Sequence, residues 1–433
     1  MTNSFVKRTV AAMVAGALPV MAIAADKPES LNIGMTAFLT GPASVFGVPA
    51  RDAAEIMVDN INADGGINGV PIDITFIDEG AGAEALTSEY RRMVESGSAE
   101  VMLASISSGN CQTIAPLAED LQVPNLMWDC GTQRIFEEND YQYVFRTQAN
   151  ATPEMLATVL YLLKTNPDFK TIAVVNQDYA WGRDSWDIFS TALKAMKPDV
   201  EVLAEFFPKF GSPDFSTEIS RLQALQPDVI LSTSWGGDLD TFVQQASQRG
   251  LLNSSTFVLP LAESSLERLG SALTDGHIVG ARGDHYFLHP ERRDDEDFKS
   301  FMAQYEEKTG DVSVYPVFHA SQAIAALQGA YEKAIEENGV EWPSEEQLLA
   351  ALEGLTFQGL GRPVTLREDN QGIEDQLLGT SVQTGDYPFA TMQNIMIFDG
   401  EELTTPVGQN SLEWVKTLDA SMVDSVTVDQ YDN

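Results

Sequence analysis

The chain has 433 residues, and its 64 acidic against 26 basic side chains give a formal net charge of −38. That balance excludes nucleic acid and anionic membrane surfaces as natural partners, because both are recognised by basic patches. It reads first as a solubility feature, suited to a saline habitat. In chain order, Lys7 and Arg8 precede an apolar run from Thr9 to Ile23, and Ala22-Ile23-Ala24 matches a signal-peptidase site. The run is too short to span a bilayer, so residues 1–24 are read as a signal peptide cleaved after Ala24. No later run reaches the roughly 18 apolar residues of a membrane span. The exported chain is long enough for two to three domains.

Leu31 to Phe38 is a first strand, ending in the loop Leu39 to Gly47. Ala50 to Ile61 has helical spacing and stops at Asn62-Ala63-Asp64-Gly65-Gly66. Val70 to Asp78 alternates as a second strand, and Ala83 to Glu95 is a helix. Val101 to Ile106 is apolar throughout, as in a strand buried on both faces. Ser107-Ser108-Gly109-Asn110 breaks it, a helix follows near Cys111, and Val123 to Trp128 is the next strand. The loop Asp129-Cys130-Gly131-Thr132 ends that strand. In a βαβ unit both loops lie side by side at the carboxyl edge of the sheet, where open α/β sheets bind ligands. A helix N-terminus carrying hydroxyls there suits a carboxylate or phosphate.

After the strand Tyr141 to Thr147 the alternation restarts. Strands are read at Thr171–Asn176, Val200–Phe207, Val229–Ser234, 256–261 and 277–281, with helices between them. Residues 298–308, 318–337 and 344–352 are helices. β segments follow near Val364–Leu366, Gly379–Gln383 and Ile395–Phe398, and the acidic tail from Ser411 shows no strong pattern. Strands alternating with helices, twice over, describe α/β architecture with two doubly wound, Rossmann-like lobes.

The chain has two cysteines, Cys111 and Cys130, one in each of the adjacent loops. In an oxidising compartment a disulfide between them is expected, with two buried free thiols as the alternative. His285-x-x-x-His289 beside Asp284 has metal-like spacing, but Pro290 breaks the helix it would need, and no metal is assigned. There is no G-x-S-x-G, H-E-x-x-H, C-x-x-C or phosphate loop, so no catalytic residues and no cofactor are assigned and an enzyme is not expected.

Thr40-Gly41-Pro42, the segment Asn60 to Gly69, the strand ending in Ile77-Asp78, Ser107-Ser108-Gly109, Ala115 to Glu119 and Val123-Pro124 occur in a distinctive order. Over about residues 30–400 the chain resembles the type I periplasmic solute-binding proteins of ABC importers, in particular the leucine/isoleucine/valine-binding subfamily. The resemblance implies a Venus-flytrap of two lobes joined by three crossovers. These are placed near Thr147–Asn150, His277–Arg282 and Gly359–Pro363. The first lobe is then 25–148 with 282–360, the second 149–281 with 361–400, and 401–433 is a C-terminal extension. It further implies a periplasmic monomer that takes a small carboxylate-bearing solute to a membrane permease. A ligand-sensing module feeding a chemoreceptor or sensor kinase, on the same fold and cleft, is the alternative.

For the site, the resemblance implies that Ser108, or its competitor Ser107, donates to the ligand carboxylate. Gly131 and Thr132 stand in the second binding loop. Asp129 there departs from the amino-acid binders and either meets a cationic ligand group or caps the next helix. Phe46, Trp181 and Trp235 match aromatic positions and read as cleft walls, with packing into the hinge as the alternative. Glu263 either takes the role of the acid that meets a ligand ammonium or leaves that role vacant. A vacant role would fit a planar or aromatic acid. Arg146 is read as a hinge brace.

Overall fold

The structure is a computed structural model that describes residues 27–280 and 282–432. The expected signal peptide lies outside the described residues. Five parallel strands form the first sheet: β1 (Leu31–Ala37), β2 (Ile72–Asp78), β3 (Val101–Leu103), β4 (Asn125–Met127) and β5 (Val144–Arg146), in the order β2-β1-β3-β4-β5. Between them run α1 (Ser44–Ala63), α2 (Ala83–Glu95), α3 (Ser108–Leu121) and the short α4 (Arg134–Glu137). In this order the chain reverses direction across the sheet between β1 and β3, which opens a crevice at their carboxyl ends.

The second lobe repeats the scheme. α5 (Ala151–Thr165) leads into β6 (Thr171–Val175), α6 (Ala180–Met196), β7 (Glu201–Phe206), α7 (Ser216–Leu225), β8 (Val229–Leu231), α8 (Gly236–Gln248), β9 (Thr256–Leu259), α9 (Leu266–Leu269) and β10 (Ile278–Gly280). The strands run parallel in the order β7-β6-β8-β9-β10, so a second reversal lies between β6 and β8. The two crevices face each other.

The chain then returns to the first lobe. α10 (Glu296–Thr309), α11 (Tyr315–Asn338) and α12 (Glu345–Leu352) follow, and α10 and α11 pack on α1. β11 (Thr356–Phe357), β12 (Val364–Leu366) and β13 (Gly372–Ile373) make a small sheet beside β5, bridged from Gln371 to Arg146. The third crossing therefore falls between Ile373 and Gln376, later than Gly359–Pro363. β14 (Gln376–Val382) and β15 (Thr391–Phe398) add antiparallel to β10. After α13 (Gly400–Leu403), α14 (Ser411–Val415) and α15 (Met422–Ser425), β16 (Val428–Tyr431) completes an eight-stranded sheet. The tail is thus part of the second lobe and not an appendage. α14 packs on α6 and α15 on α5, with Val415 and Val426 in the core and the half-buried Leu412 and Trp414 packed against it.

Two helices begin earlier than their patterns indicate. α1 starts at Ser44, six residues ahead of the sequence reading, because Gly47 and Pro49 are tolerated near its start. α3 starts at Ser108, with Ser107 as its cap: Ser107 Oγ accepts from Asn110 N at 3.3 Å.

All three crossings meet at Glu374, which is 2% exposed. Its Oε2 accepts from Ala149 N at 3.0 Å in the first crossing. Its Oε1 accepts from Asp284 N at 3.4 Å in the second and from Gln322 Nε2 of α11 at 2.6 Å. These donors are all neutral, and burial pushes the carboxyl up to about 8. In the unfolded chain the same group titrates near ~4.3. Its folded value is the higher, so its contribution to stability is complete below about pH 4.3 and is lost as pH rises through 8. Thermal melts should therefore fall between pH 6 and 9, and Glu374→Gln should flatten that fall.

Candidate functional site

The facing crevices are closed on each other. At the first, β3 ends and the backbone turns into α3. Ser108, 2% exposed, accepts from Thr132 N at 3.1 Å through Oγ, which joins the two loops of the first lobe. Glu79 fixes the turn from beneath. Its Oε1 accepts from Thr36 Oγ1 at 2.6 Å and Ile106 N at 3.0 Å, and its Oε2 accepts from Asn110 Nδ2 at 2.7 Å. Arg146 braces the second loop from behind, donating from Nη1 to Cys130 O at 3.0 Å and Thr132 O at 2.8 Å. Phe136 covers its guanidinium at 5.2 Å.

The second lobe supplies two tryptophans at its own strand reversal. Trp181 donates to Thr233 O at 2.8 Å, and Trp235 donates to Tyr179 Oη at 2.6 Å. Trp235 meets Phe46 edge-on at 5.2 Å, and Phe46 meets Tyr315 at 5.0 Å and Trp128 at 6.4 Å. Phe46, Trp181 and Trp235 therefore come together, buried, where the lobes touch. Gly131 lies under Trp181 so closely that a Cβ there would sit 2.4 Å from Cε3 of the indole. Only a glycine allows this approach.

Polar bonds also cross the interface. Thr132 Oγ1 donates to Asp184 Oδ2 of α6 at 2.7 Å, and Arg134 Nη2 donates to Asp184 Oδ1 at 2.5 Å. Thr132 thus spends its hydroxyl on the second lobe. Gly237 N donates to Pro42 O at 3.3 Å. Glu263 sits in a 3-10 turn at Ala262–Ser265 and accepts from Tyr315 N of α11 at 2.7 Å through Oε2. Its Oε1 is buried without a partner, and burial raises the group to about 8.

The charged centre is Arg282, in the second crossing. Its Nη1 donates to Asp129 Oδ1 at 3.1 Å, and its Nε donates to both oxygens of Glu154, at 3.2 and 3.3 Å. Its guanidinium lies 4.6 Å from the Trp181 ring. Asp129 Oδ1 is also 2.7 Å from His319 Nδ1. Asp129 therefore neither caps a helix nor waits for a ligand cation; Arg282 and His319 occupy it. Burial raises it to about 7, opposed by the charge of Arg282. The hydroxyl of Tyr315 is buried here without a partner.

The expected disulfide is not formed. Cys111 and Cys130 are free and buried, with Cys111 Sγ 3.8 Å from Ile106 O. Burial first, then the neighbouring Cys130, hold the Cys111 thiol well above its usual range, which disfavours the thiolate that exchange chemistry needs. His289 pairs with Asp284 at 2.9 Å. His285, His319 and Glu374 bring potential ligand atoms within 4.8 Å of one another. The hinge already uses these groups, since both imidazole Nε2 atoms rest on Arg282 O and Glu374 holds the crossings.

A family model for periplasmic binding proteins matches residues 30–386. The chain belongs to this family. A Leu/Ile/Val-binding protein homologue of Brucella suis is 28% identical over 260 residues, 58% of this chain and 62% of the relative. The match thus spans less than two thirds of that relative's length. Among solved structures, a solute-binding protein of an ABC transporter from Rhodopseudomonas palustris, in complex with 3,4-dihydroxybenzoic acid, superposes with a TM-score of 0.75 at 18% identity. The alignment covers 88% of this chain and 100% of that one. A leucine-binding protein of Thermotoga maritima gives 0.67 at 19% identity, over 84% and 98%. These likenesses show the shared fold, two α/β lobes with parallel sheets. Periplasmic binding proteins are non-enzymatic components of transport.

The sequence reading missed Glu79, Glu154, Asp184 and Tyr315, took Arg282 only as the end of the second crossover, and read His319 as a hinge or cleft-rim residue without its partners. Gly131→Ala should hold the lobes apart, because the methyl group would overlap Trp181. Small-angle scattering at saturating solute should then show a radius of gyration that no longer contracts, in contrast to the parent protein.

Proposed function

We propose that the protein is the exported solute receptor of an ABC importer. It captures a small carboxylate-bearing solute between its lobes and presents the closed form to a membrane permease. One observation carries the carboxylate. Ser108 Oγ accepts from Thr132 N, so its own hydrogen is left for another acceptor, and it stands at the N-terminus of the 14-residue α3. A hydroxyl hydrogen and outward-facing helix N–H groups are complementary to an anion.

The rest of the solute meets aromatic rings from both lobes, Phe46 and Tyr315 on one side, Trp181 and Trp235 on the other. Such walls suit a planar or aromatic acid. The structural relative bound to 3,4-dihydroxybenzoic acid supports that class. Glu263 supports it too: with Oε2 on Tyr315 N and its carboxyl raised to about 8, it is a poor counter-ion for an α-ammonium group at neutral pH.

A thermal-shift screen of aromatic acids, aliphatic acids, amides and amino acids tests the class, since a solute that binds only the folded state raises the melting temperature. Aromatic acids should give the largest shifts. Tight binding of leucine or valine with no response to aromatic acids would overturn this reading. Ser108→Ala should weaken carboxylate binding by about 1.5–3 kcal/mol, roughly 10- to 150-fold, in a protein that still folds but melts lower without ligand, because Thr132 N loses its acceptor.

A further inference from the structure

We propose that His319 and Asp129 hold one proton between them at neutral pH, and that this proton fits the cleft for an anion, which makes His319 a specificity-determining residue. The inference deepens the proposed capture of a carboxylate solute and rests on that reading for its functional half.

The proton follows from hydrogen-bond geometry. The Arg282 carbonyl oxygen can only accept. His319 Nε2 and His285 Nε2 each lie 2.5 Å from it, so both nitrogens donate to it. A neutral imidazole that donates from Nε2 has only a lone pair at Nδ1. His285 follows this rule: its Nδ1 is buried with no partner. His319 does not, because its Nδ1 faces Asp129 Oδ1 at 2.7 Å. A lone pair against a carboxylate oxygen at that distance is repulsive, so a proton lies between them. Imidazolium with carboxylate, or imidazole with carboxylic acid, leaves the pair neutral in either form.

The charges around the pair give the proton its role. Arg282 rests on Asp129 and Glu154, Arg146 stands behind the loop, Glu79 lies beneath the turn that carries Ser108, and Glu374, Tyr315, Tyr179 and His285 are further titratable groups that face it. Glu79 and Glu154 already stand against the two arginines, so one proton decides whether the buried site has room for a further negative charge. With the proton in place, the Asp129–His319 pair adds no charge beside the loop that carries Ser108. When the proton leaves to solvent, the pair becomes negative, and a bound carboxylate then meets a like charge in a buried site. Burial holds Asp129 near 7, which puts the loss close to neutrality.

The first experiment needs no solute. In a potentiometric difference titration of the ligand-free protein, the parent should release one more proton than Asp129→Asn between pH 5 and 9. Equal proton release would overturn the proposal. The second measures 3,4-dihydroxybenzoate binding by calorimetry at pH 6 and pH 8.5. The parent should bind at least tenfold more weakly at pH 8.5, and Asp129→Asn should lose that dependence. His319→Ala should bind weakly at both values, and the double variant should recover part of the loss. A pH-independent parent that binds this acid would overturn the role of the proton. Failure of the parent to bind it at either pH would count against the aromatic-acid reading alone, with the titration still deciding whether the proton exists. Should His319→Ala not fold, the two Asp129→Asn comparisons suffice.

Discussion

A buried guanidinium is costly to leave without counter-charge, and Arg282, unlike Arg146, is held by two carboxylates around which the interior is organised. It sits where the chain returns from the second lobe to the first, and its two carboxylate partners come from opposite lobes: Asp129 from the loop after β4, Glu154 from α5. Its carbonyl takes the two imidazoles, and its planar face lies on Trp181. One residue therefore fixes the hinge, the floor of the cleft and an aromatic wall. Removing one partner of such a buried pair typically costs about 3–5 kcal/mol, because the remaining charge is stranded. Glu374 complements it, tying the same hinge through neutral donors, so the hinge is held at two points with different charge logic.

The sheet order explains why the site lies where it does. Each lobe reverses its winding between two neighbouring strands, and each reversal opens a crevice at the carboxyl edge. The first crevice holds the start of α3, where Ser107 caps Asn110 N and Ser108 stands at the first turn. The second exposes the start of α6 and α8, and there the chain places Trp181 and Trp235 beside those helix starts. Opposed crevices of this kind bring polar groups and aromatic rings of both lobes to one seam. Closure then buries both together and dries the polar ones, which strengthens them. The bonds from Asp184 to Thr132 and Arg134 exist only when the lobes meet, so they stabilise the closed form without touching solute.

Much of this frame was legible in the sequence, because it is written in local patterns. Apolar runs followed by small polar residues marked β3, β4 and their loops, but nothing in the sequence marked the close approach of Gly131 to Trp181. Long-range partnerships were not legible. Arg282 meets Asp129 across 153 positions and His319 meets it across 190. His319 lies among apolar residues on α11 and reads as a hinge or cleft-rim residue, but nothing local names Asp129 or the Arg282 carbonyl as its partners. Glu79 directly follows a strand and reads as a surface acid, yet three donors enclose it. Of the cysteines, Cys130 lies in the loop after β4 but Cys111 lies in the first turn of α3, and spacing alone does not say whether buried thiols are joined. The tail was misjudged because its acidic residues mask Leu412, Trp414 and Val415, whose burial depends on helices more than 200 residues away in the chain.

The aromatic walls and the charged floor pull solute preference in different directions, and their balance defines the receptor. Phe46, Tyr315, Trp181 and Trp235 reward a flat apolar body wherever its charge lies. On the proposed reading the floor adds a sign, because the proton shared by Asp129 and His319 sets how much negative charge already stands beside the Ser108 loop. A zwitterion would then bring an ammonium group beside Arg282 and find one oxygen of Glu263 already engaged with Tyr315 N. An uncharged aromatic compound would leave the Ser108 hydrogen unused. A solute with one acid group on a planar body would meet both demands at once, so that selectivity on this reading is a charge condition imposed on a shape that is otherwise permissive.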